Sequence, residues 1–457
     1  MRWCHHTPSR GSSLATGSSL WLATWLSTWL IGSGASAQSH PHSTDMAQPV
    51  SSSISAPPST TDVPAAPRLS LAGLFERAWA RQPEARSADL RRQSLAQARV
   101  GSRSWLAGAP SLLLQAQTDR PGTGQGEREL EVGLALPLWR PGQSAKTQAT
   151  HEAEATAHEH QLSLQRWRLA GVVREAWWYA QRTHTDLLQA QARVQNAREL
   201  AHDVARRVQA GNLARADQHQ AESAVAQALW TLAQAQGAQE SALEQLRQLS
   251  GDWSLSSPPL DRTDMPDLPE LPDSVPPTHP WLIAAQARET LARALARQAE
   301  VSRTSPPELT LLSTRATGPA GEPARRSVTV GIQWPFTMGG PAAQAEAEVL
   351  AAWSAAHEAE SERVLVHEQL RAHIAQARAR LRSAQAQWAA AQDHQRLASE
   401  TRTFFERSFQ MGQIDLPTRL RIDHEAAQAQ HALHRARIDL RAAWSDWQHA
   451  LGQLPTE

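Results

Sequence analysis

The chain has 457 residues, of which 5% are aromatic and 20% are charged, so its composition is not that of a typical enzyme. Lysine plus arginine number 45 and aspartate plus glutamate number 45. This balance leaves no overall basic field to attract nucleic acid. The composition is instead typical of a helical protein rich in alanine, glutamine, arginine and glutamate.

Residues 1–37 have the pattern of a secretory signal peptide. Basic residues precede an apolar run at 20–31, and a small-x-small pattern at 35–37 predicts cleavage before Gln38. The run of about 12 residues is too short to cross a bilayer core of about 30 Å as a helix, which argues against a retained anchor. Residues 38–67, rich in Ser, Pro and Thr, are predicted to be a disordered leader.

The single cysteine, Cys4, lies before the apolar run and is lost if the signal peptide is cleaved. The mature chain then has no thiol for a disulfide, a metal site or a nucleophile. It also has no N-terminal cysteine that could carry a lipid anchor.

The rest of the chain repeats one plan at a spacing of about 200 residues. The segment VGLALPL at 132–138 corresponds to VGIQWPF at 330–336. The two structural repeats are predicted at residues 68–251 and 281–454. Residues 252–280, dense in Pro and Asp, form the predicted linker between them.

Each repeat contains two segments in which apolar and polar residues alternate. They lie at 111–119 and 128–139 in the first repeat, and at 308–317 and 327–336 in the second. A period of two is the pattern of a β-strand with one apolar face, and the polar segments between them that contain Gly and Pro predict hairpin loops. The predicted lipid-facing residues are Leu130, Val132, Leu134, Leu136, Leu138, Val328, Val330, Ile332, Trp334 and Phe336.

Helices surround these strands. One is predicted over about residues 69–105, before the first strand pair, and long helical hairpins are predicted at 143–249 and 341–451. Residues 143–209 contain no proline, which allows a helix of about 100 Å at 1.5 Å per residue. Apolar residues, many of them alanine, recur at spacings of three and four, which is the heptad pattern of a coiled coil.

Four strands in a chain cannot close a membrane barrel by themselves. Each unpaired backbone group in lipid costs several kcal/mol, so chains must combine their strands, and three copies give twelve. The predicted fold class is therefore mainly α with a small β part. It combines a long α-helical coiled-coil barrel with four β-strands per protomer that contribute to a 12-stranded trimeric outer-membrane β-barrel.

The doubled plan of helix, strand pair and long helical hairpin, over about residues 69–454, resembles the TolC family of outer-membrane efflux proteins. The resemblance implies a homotrimer in the outer membrane with a long periplasmic extension, a periplasmic membrane-fusion adaptor and an inner-membrane efflux pump. It implies neither catalysis nor a cofactor. Residues 139–142 also resemble the CzcC-like heavy-metal branch, so metal ions join drugs as expected cargo.

The predicted function is a passive duct from adaptor and pump to the exterior. The alternative is a soluble periplasmic coiled-coil adaptor or scaffold protein in which the strands form a small globular head. An adaptor of that kind should carry a lipoyl-like or barrel domain inside one hairpin, whereas here the strands recur once in each repeat.

The turns of the two helical hairpins are predicted at Gly211 and Gly412, because glycine readily adopts the left-handed backbone of a reversal. The resemblance to the TolC family implies that the adaptor docks at these tips. The implied docking residues are Arg207, Gly211, Leu213, Asp217, Arg407, Gly412, Ile414 and Leu416. Asp217 and Asp415 allow two interpretations, a ring of carboxylates that selects cations or helix N-caps, and we favour the caps.

Other residues that could suggest a site have simpler interpretations. Histidines such as His151, His158 and His431 lie on polar helical segments and are interpreted as surface residues rather than metal ligands. No phosphate-binding loop, His-Glu-x-x-His helix or Gly-x-Ser-x-Gly elbow occurs. Among the 18 tryptophans, Trp105, Trp139 and Trp334 lie beside strand ends, where an interfacial aromatic belt is expected, and those on helices are predicted to fill seams.

Overall fold

The computed structural model describes residues 70–119, 122, 126–256, 274–318, 322–336 and 338–456. All of them belong to one compact unit, Ala65–Glu457. The predicted signal peptide and leader, and residues 257–273 of the predicted linker, lie outside the described part of the chain.

The described residues are mainly helical with one four-stranded sheet, which confirms the mainly α character of the predicted fold class and its four strands per protomer. The helices are α1 (Leu71–Ala80), α2 (Pro83–Ser102), α3 (Gln143–Gln209), α4 (Arg215–Ser250), α5 (Pro280–Val301), α6 (Gly340–Gln410) and α7 (Leu416–Ala450). The strands are β1 (Ser111–Thr118), β2 (Arg128–Pro137), β3 (Glu308–Thr317) and β4 (Arg325–Gln333).

The first helical segment is two helices, so the prediction of one helix over residues 69–105 is wrong. α1 ends at Ala80, and Gln82 is extended, with φ −68° and ψ 139°, before α2 begins at Pro83. The proline ring disfavours a helical conformation in the residue before it and provides no N–H. The chain therefore breaks its helix at Gln82 and starts a new one at Pro83.

The strands form one antiparallel sheet in the order β1-β2-β3-β4. Its register places Leu112, Leu134, Leu311 and Val330 in one row across all four strands. The pairing of β2 with β3 joins the two sequence repeats within one sheet. β1 and β4 are its edges, and within the described residues neither has a second partner strand.

The long helices pair as two hairpins, α3 with α4 and α6 with α7. α3 has 67 residues and α6 has 71, so each is about 100 Å long at 1.5 Å per residue. Ile374, Ala377, Leu381 and Ala384 of α6 are buried at alternating spacings of three and four, as in a coiled coil. None of the helices in the described residues combines the length and the apolar character needed to cross a membrane.

The remaining helices pack beside these hairpins. α1 buries Leu74 and Phe75 against α3 and α4, where Val173, Trp177 and Leu246 complete a core. α5 lies between α3 of the first repeat and α6 of the second, and α7 also contacts α3. Contacts of α5 and α7 with α3 therefore connect the two repeats along the helices, as the sheet does at the strands.

Candidate functional site

One face of the sheet is apolar and exposed. On β4 the side chains of Val328, Val330 and Ile332 are 77%, 65% and 66% exposed. They alternate with Thr329 and Gly331, which point to the other face. A contiguous exposed apolar surface of this kind marks contact with another protein or with a membrane.

The structure places the ten predicted lipid-facing residues on and beyond this face. Leu130, Val132 and Leu134 of β2 are exposed, and Leu136 is half-buried. β2 ends at Pro137 and β4 at Gln333, so the predicted strands over 128–139 and 327–336 extend too far, and three of the ten residues lie past the observed strand ends. These three are Leu138, Trp334 and Phe336.

The register adds apolar residues that the sequence prediction omitted. Leu112 lies opposite Leu134, and Leu311 lies between Leu134 and Val330. In β1 three leucines are consecutive, Leu112 to Leu114, so alternation alone does not show which of them belong to the apolar face. The register resolves this and shows that all four strands contribute to the face.

The opposite face of the sheet is largely polar. Gln115, Glu131, Thr314 and Ser327 form one row across the four strands. The Thr314 hydroxyl donates a hydrogen bond of 3.1 Å to a Glu131 carboxylate oxygen. The sheet thus has one face suited to a hydrocarbon environment and one suited to water.

The helical end of the sheet is fixed by an arginine and two tryptophans. Arg140 donates hydrogen bonds of 3.2 Å to the backbone oxygens of Ser305 and Pro335, and its guanidinium lies 5.7 Å from the ring centroid of Trp334. The Trp139 indole N–H donates to the Ser104 carbonyl at 2.8 Å. Aromatic side chains therefore mark the end of the apolar face, where the sequence predicts a belt.

The two hairpin tips turn at the predicted glycines. Gly211 and Gly412 have φ of 78° and 73°, a left-handed conformation that residues with a side chain rarely adopt. In each turn the residue after the glycine donates its backbone N–H to a carbonyl of the helix that ends there. The Asn212 N–H donates to the Arg207 carbonyl at 2.8 Å, and the Gln413 N–H donates to the Ser408 carbonyl at 2.9 Å. These bonds satisfy carbonyls that a helix end leaves free.

The two tips pack on each other. Val204, Ala221, Phe409 and Leu416 form a buried cluster, which we call the tip cluster, and Leu213 and Ile414 are partly buried against it. Leu416 is 1% exposed, so it holds the tip together and offers no side-chain surface to an adaptor. Of the eight residues predicted for adaptor docking, Gly211, Gly412 and Arg407 are exposed.

Arginines join the tips electrostatically. The Arg207 guanidinium lies 4.7 Å from the Phe409 ring centroid, and its Nε is 3.0 Å from a carboxylate oxygen of Asp203. Buried Arg419 also lies over the Phe409 ring, at 5.7 Å, and contacts Asp423 at 2.6 Å and Glu406 at 3.3 Å. Phe409 and Arg419 were not predicted as tip residues, because their roles arise from packing between helices.

Both aspartates near the tips bind backbone N–H groups at a helix start. Asp415 is the N-cap of α7 and accepts from the Thr418 N–H at 3.2 Å. Hydrogen bonds from Thr418 lower the pKa of Asp415 below its usual value. Asp217 lies at the third position of α4 and accepts from the Ala214 N–H at 3.0 Å, so it caps the helix from inside.

A buried polar cluster lies where α3, α5 and α7 meet. Arg174 is 2% exposed and donates to the backbone oxygens of Ser445 and Gln453 at 3.1 and 3.2 Å. Burial lowers the pKa of Arg174 to about 10. Burial also lowers the pKa of His279 to about 4 and that of His449 to about 3.

The histidines considered as metal ligands form other contacts. His431 lies 2.7 Å from a carboxylate oxygen of Asp186, and His151 lies 3.4 Å from one of Glu154. In the described part of the chain, no three His, Cys, Asp or Glu side chains are arranged to hold a metal ion.

No protein-family model matches the sequence, and no curated protein matches it significantly. Solved structures do match. The CmeC outer-membrane channel of Campylobacter jejuni is 15% identical, with a TM-score of 0.68, and the match covers 84% of this chain and 85% of that one. The outer-membrane protein VceC of Vibrio cholerae is 16% identical, with a TM-score of 0.67, over 84% of this chain and 96% of that one.

A third match is CusC, whose structures describe folding and transmembrane channel formation. It is 18% identical, with a TM-score of 0.67, over 84% of this chain and 92% of CusC. The chain therefore has the fold of TolC-type outer-membrane channels, and the resemblance predicted from the sequence is confirmed for the fold. These proteins are channels and not enzymes. The likeness to a CzcC-like branch stays a prediction.

Proposed function

We propose that this chain is the outer-membrane channel component of a tripartite efflux or export system. Three copies form a passive duct that leads from a periplasmic adaptor and an inner-membrane pump to the exterior. The observation that supports this most strongly is a four-stranded sheet with an exposed apolar face and two edges that have no partner strand among the described residues.

The unpaired edges require other strands. β1 and β4 each present a row of backbone N–H and C=O groups, which in lipid cost several kcal/mol for each unsatisfied group. Four strands are too few to close a barrel, and about eight leave an interior filled by side chains. Three chains give twelve strands, which leaves room for an aqueous lumen lined by the polar face.

The internal repeat predicts how neighbouring chains pair. Within the chain, β2 of the first repeat pairs with β3 of the second, and Leu134 lies opposite Leu311. Leu112 pairs with Leu134 in the first repeat, as Leu309 pairs with Ile332 in the second. Ile332 of β4 is therefore the repeat equivalent of Leu134. Leu114 of β1, two residues after Leu112, is likewise the equivalent of Leu311. The same contact between protomers places Ile332 of one protomer opposite Leu114 of its partner.

The helices support the same arrangement. α5 packs against α6 of its own repeat and against α3 of the other. Its counterpart α2 packs against α3 and leaves Leu90 and Val100 70% and 63% exposed. If α2 packs as its counterpart α5 does, α6 of the partner covers the exposed side of α2. This contact would continue the barrel wall from one protomer to the next.

The soluble adaptor or scaffold alternative fits these observations less well. It would leave the apolar face of the sheet in water. Neither long hairpin is interrupted by another domain, because residues 143–250 and 340–450 are fully described and helical apart from their turns. The exposed tip positions at Gly211, Gly412 and Arg407 are instead suited to an adaptor that docks from the periplasm.

Cysteine cross-linking tests the channel and its register together. In a C4S background, L114C combined with I332C should give covalent dimers and trimers on oxidation of outer-membrane fractions. The matched control is Q115C with I332C, because Gln115 points to the other face of β1 and should not cross-link. Recovery of the protein in the periplasmic supernatant, without cross-linked species, would refute the channel.

A further inference from the structure

Three arginines lie at the loop end of the apolar sheet face. Arg315 pairs with Arg326 across β3 and β4, and Arg315 is also opposite Leu130. Arg128 lies two positions from Leu130 on the same face of β2 and pairs with Thr317. All three arginines are exposed. Arg315 lies directly opposite Arg326 and diagonal to Arg128 on adjacent strands, so it is within about 8 Å of each of them. We call Arg128, Arg315 and Arg326 the arginine rim.

The arginine rim is electrostatically unbalanced within the chain. Like charges directly opposite on paired strands repel, and none of the three forms an ion pair with the described residues. The nearby strand carboxylates, Glu129 and Glu131, lie on the opposite face by alternation. On the strands, charge is therefore segregated, with arginines at the loop end of the apolar face and no ion pair to any of them among the residues that the structure describes.

The position of the arginine rim corresponds to a membrane surface. β2 has 10 residues, so it rises about 33 Å, and a tilt of about 40° gives a height of about 25 Å. That height is the thickness of the apolar band of an outer-membrane barrel. Trp139 follows β2 at the helical end of the band, so the arginine rim lies at the other interface, beside the hairpin loops.

We propose that the arginine rim binds the phosphate groups of lipopolysaccharide, through its lipid A part, in the outer leaflet. This inference rests on the proposed channel function, which places the loop end of the sheet at the outer surface. A guanidinium forms paired hydrogen bonds with phosphate, and acyl chains of the same lipid can contact Val328 and Leu130 on the adjacent apolar face. One lipid thus satisfies the charge and the apolar surface together.

Lipid titration of the full trimer in detergent, followed by native mass spectrometry, tests the proposal. Bisphosphorylated lipid A should bind R315Q/R326Q at least about tenfold more weakly than wild type, because each arginine near an anionic surface strengthens the binding several-fold. R325Q is the matched control, since Arg325 is exposed on the same strand but points to the other face and pairs with Ala316. R325Q should bind like wild type.

Two further ligands and one assay separate the outcomes. Dephosphorylated lipid A should bind wild type and R315Q/R326Q equally, and phosphatidylglycerol should bind wild type more weakly than lipid A. Two outcomes would overturn this inference while wild type still floats with vesicles. One is that R315Q/R326Q binds lipid A as tightly as wild type does. The other is that wild type binds phosphatidylglycerol as tightly as it binds lipid A. If wild type does not float with vesicles, the channel function fails, and the inference with it.

Discussion

The indole ring of Trp167 stacks on the imidazole of His449, with centroids 4.6 Å apart and planes 10° from parallel. The same indole donates its N–H to the His449 carbonyl at 2.8 Å, and His279 meets it edge-on at 5.1 Å. The contact joins α3 to α7 and to the start of α5. It therefore holds the two repeats together at a buried site that contains two titratable rings.

Acidification should weaken this junction. Burial lowers the pKa of His449 to about 3 and that of His279 to about 4. Repulsion from His373 lowers both pKa values further, and repulsion from Arg174 lowers that of His449. In the unfolded chain these rings take up protons near pH 6.5, whereas in the folded chain they do so only near pH 4 and 3. The contribution of the two neutral rings to the free energy of unfolding is thus complete above pH 6.5 and is lost as the pH falls towards 4 and 3. Between pH 7 and pH 5 the loss is about 2 kcal/mol per ring.

The measurement is the free energy of urea unfolding of the detergent-solubilised protein at pH 7 and at pH 5. H449Q removes one titrating ring, so it should reduce the loss of stability between these pH values as well as the stability itself. H219Q, at an exposed position of α4, is the control and should leave the loss unchanged. An identical pH dependence in H449Q and wild type would contradict the assignment.

Gly171 is required by the same junction. A Cβ at this position of α3 would lie 2.7 Å from Nε2 of His449, closer than real Cβ contacts. G171A should therefore destabilise the protein by about 1 to 3 kcal/mol, the usual cost of overpacking. G237A in α4 is the matched control, because its Cβ would meet nothing within 4 Å, and it should stabilise the helix by about 0.5 to 1 kcal/mol. The two melting temperatures should move in opposite directions; a parallel shift would argue against the close approach at Gly171.

The features predicted correctly from the sequence have local signals. Alternation identified the apolar face around Val132 and Val330, and single glycines identified both hairpin turns, because backbone conformation there depends on the residue itself. The spacing of buried residues along α6 likewise follows a heptad pattern that can be counted. The fold class could be derived from these periods.

The features that were missed depend on residues far apart in the chain. Arg207 contacts Phe409 across two hairpins, and Arg174 reaches Ser445 from the other repeat. The assignment of Leu112 to the apolar face needs the pairing of β1 with β2. No local pattern encodes such contacts, so the tip cluster, the buried junction and the arginine rim required the structure.

Phe409 should control the stability of the tips alone. It is 4% exposed at the centre of the tip cluster, and Arg207 and Arg419 lie over its ring. F409A should cost about 3 to 5 kcal/mol locally, as for other buried phenylalanines, and hydrogen exchange should accelerate around both turns while the sheet stays protected. F404A, at a 65% exposed position of the same helix, should change little. Uniform loss of protection along α6 in F409A would show that the tips are not a separate unit.

The tip glycines should be needed for export and not for assembly. Gly211 and Gly412 have φ of 78° and 73°, and a Cβ at either would meet nothing within 4 Å, so a substitution acts through the backbone alone. Valine in this conformation costs about 1 to 2 kcal/mol at each turn and should distort the surface that we propose for adaptor docking. G211V/G412V should therefore abolish resistance to drugs or metals in a deletion strain while trimers still reach the outer membrane. G211N/G412N should retain most of the export, because asparagine tolerates left-handed backbone. Unchanged resistance with both valines in place would mean that the adaptor docks elsewhere.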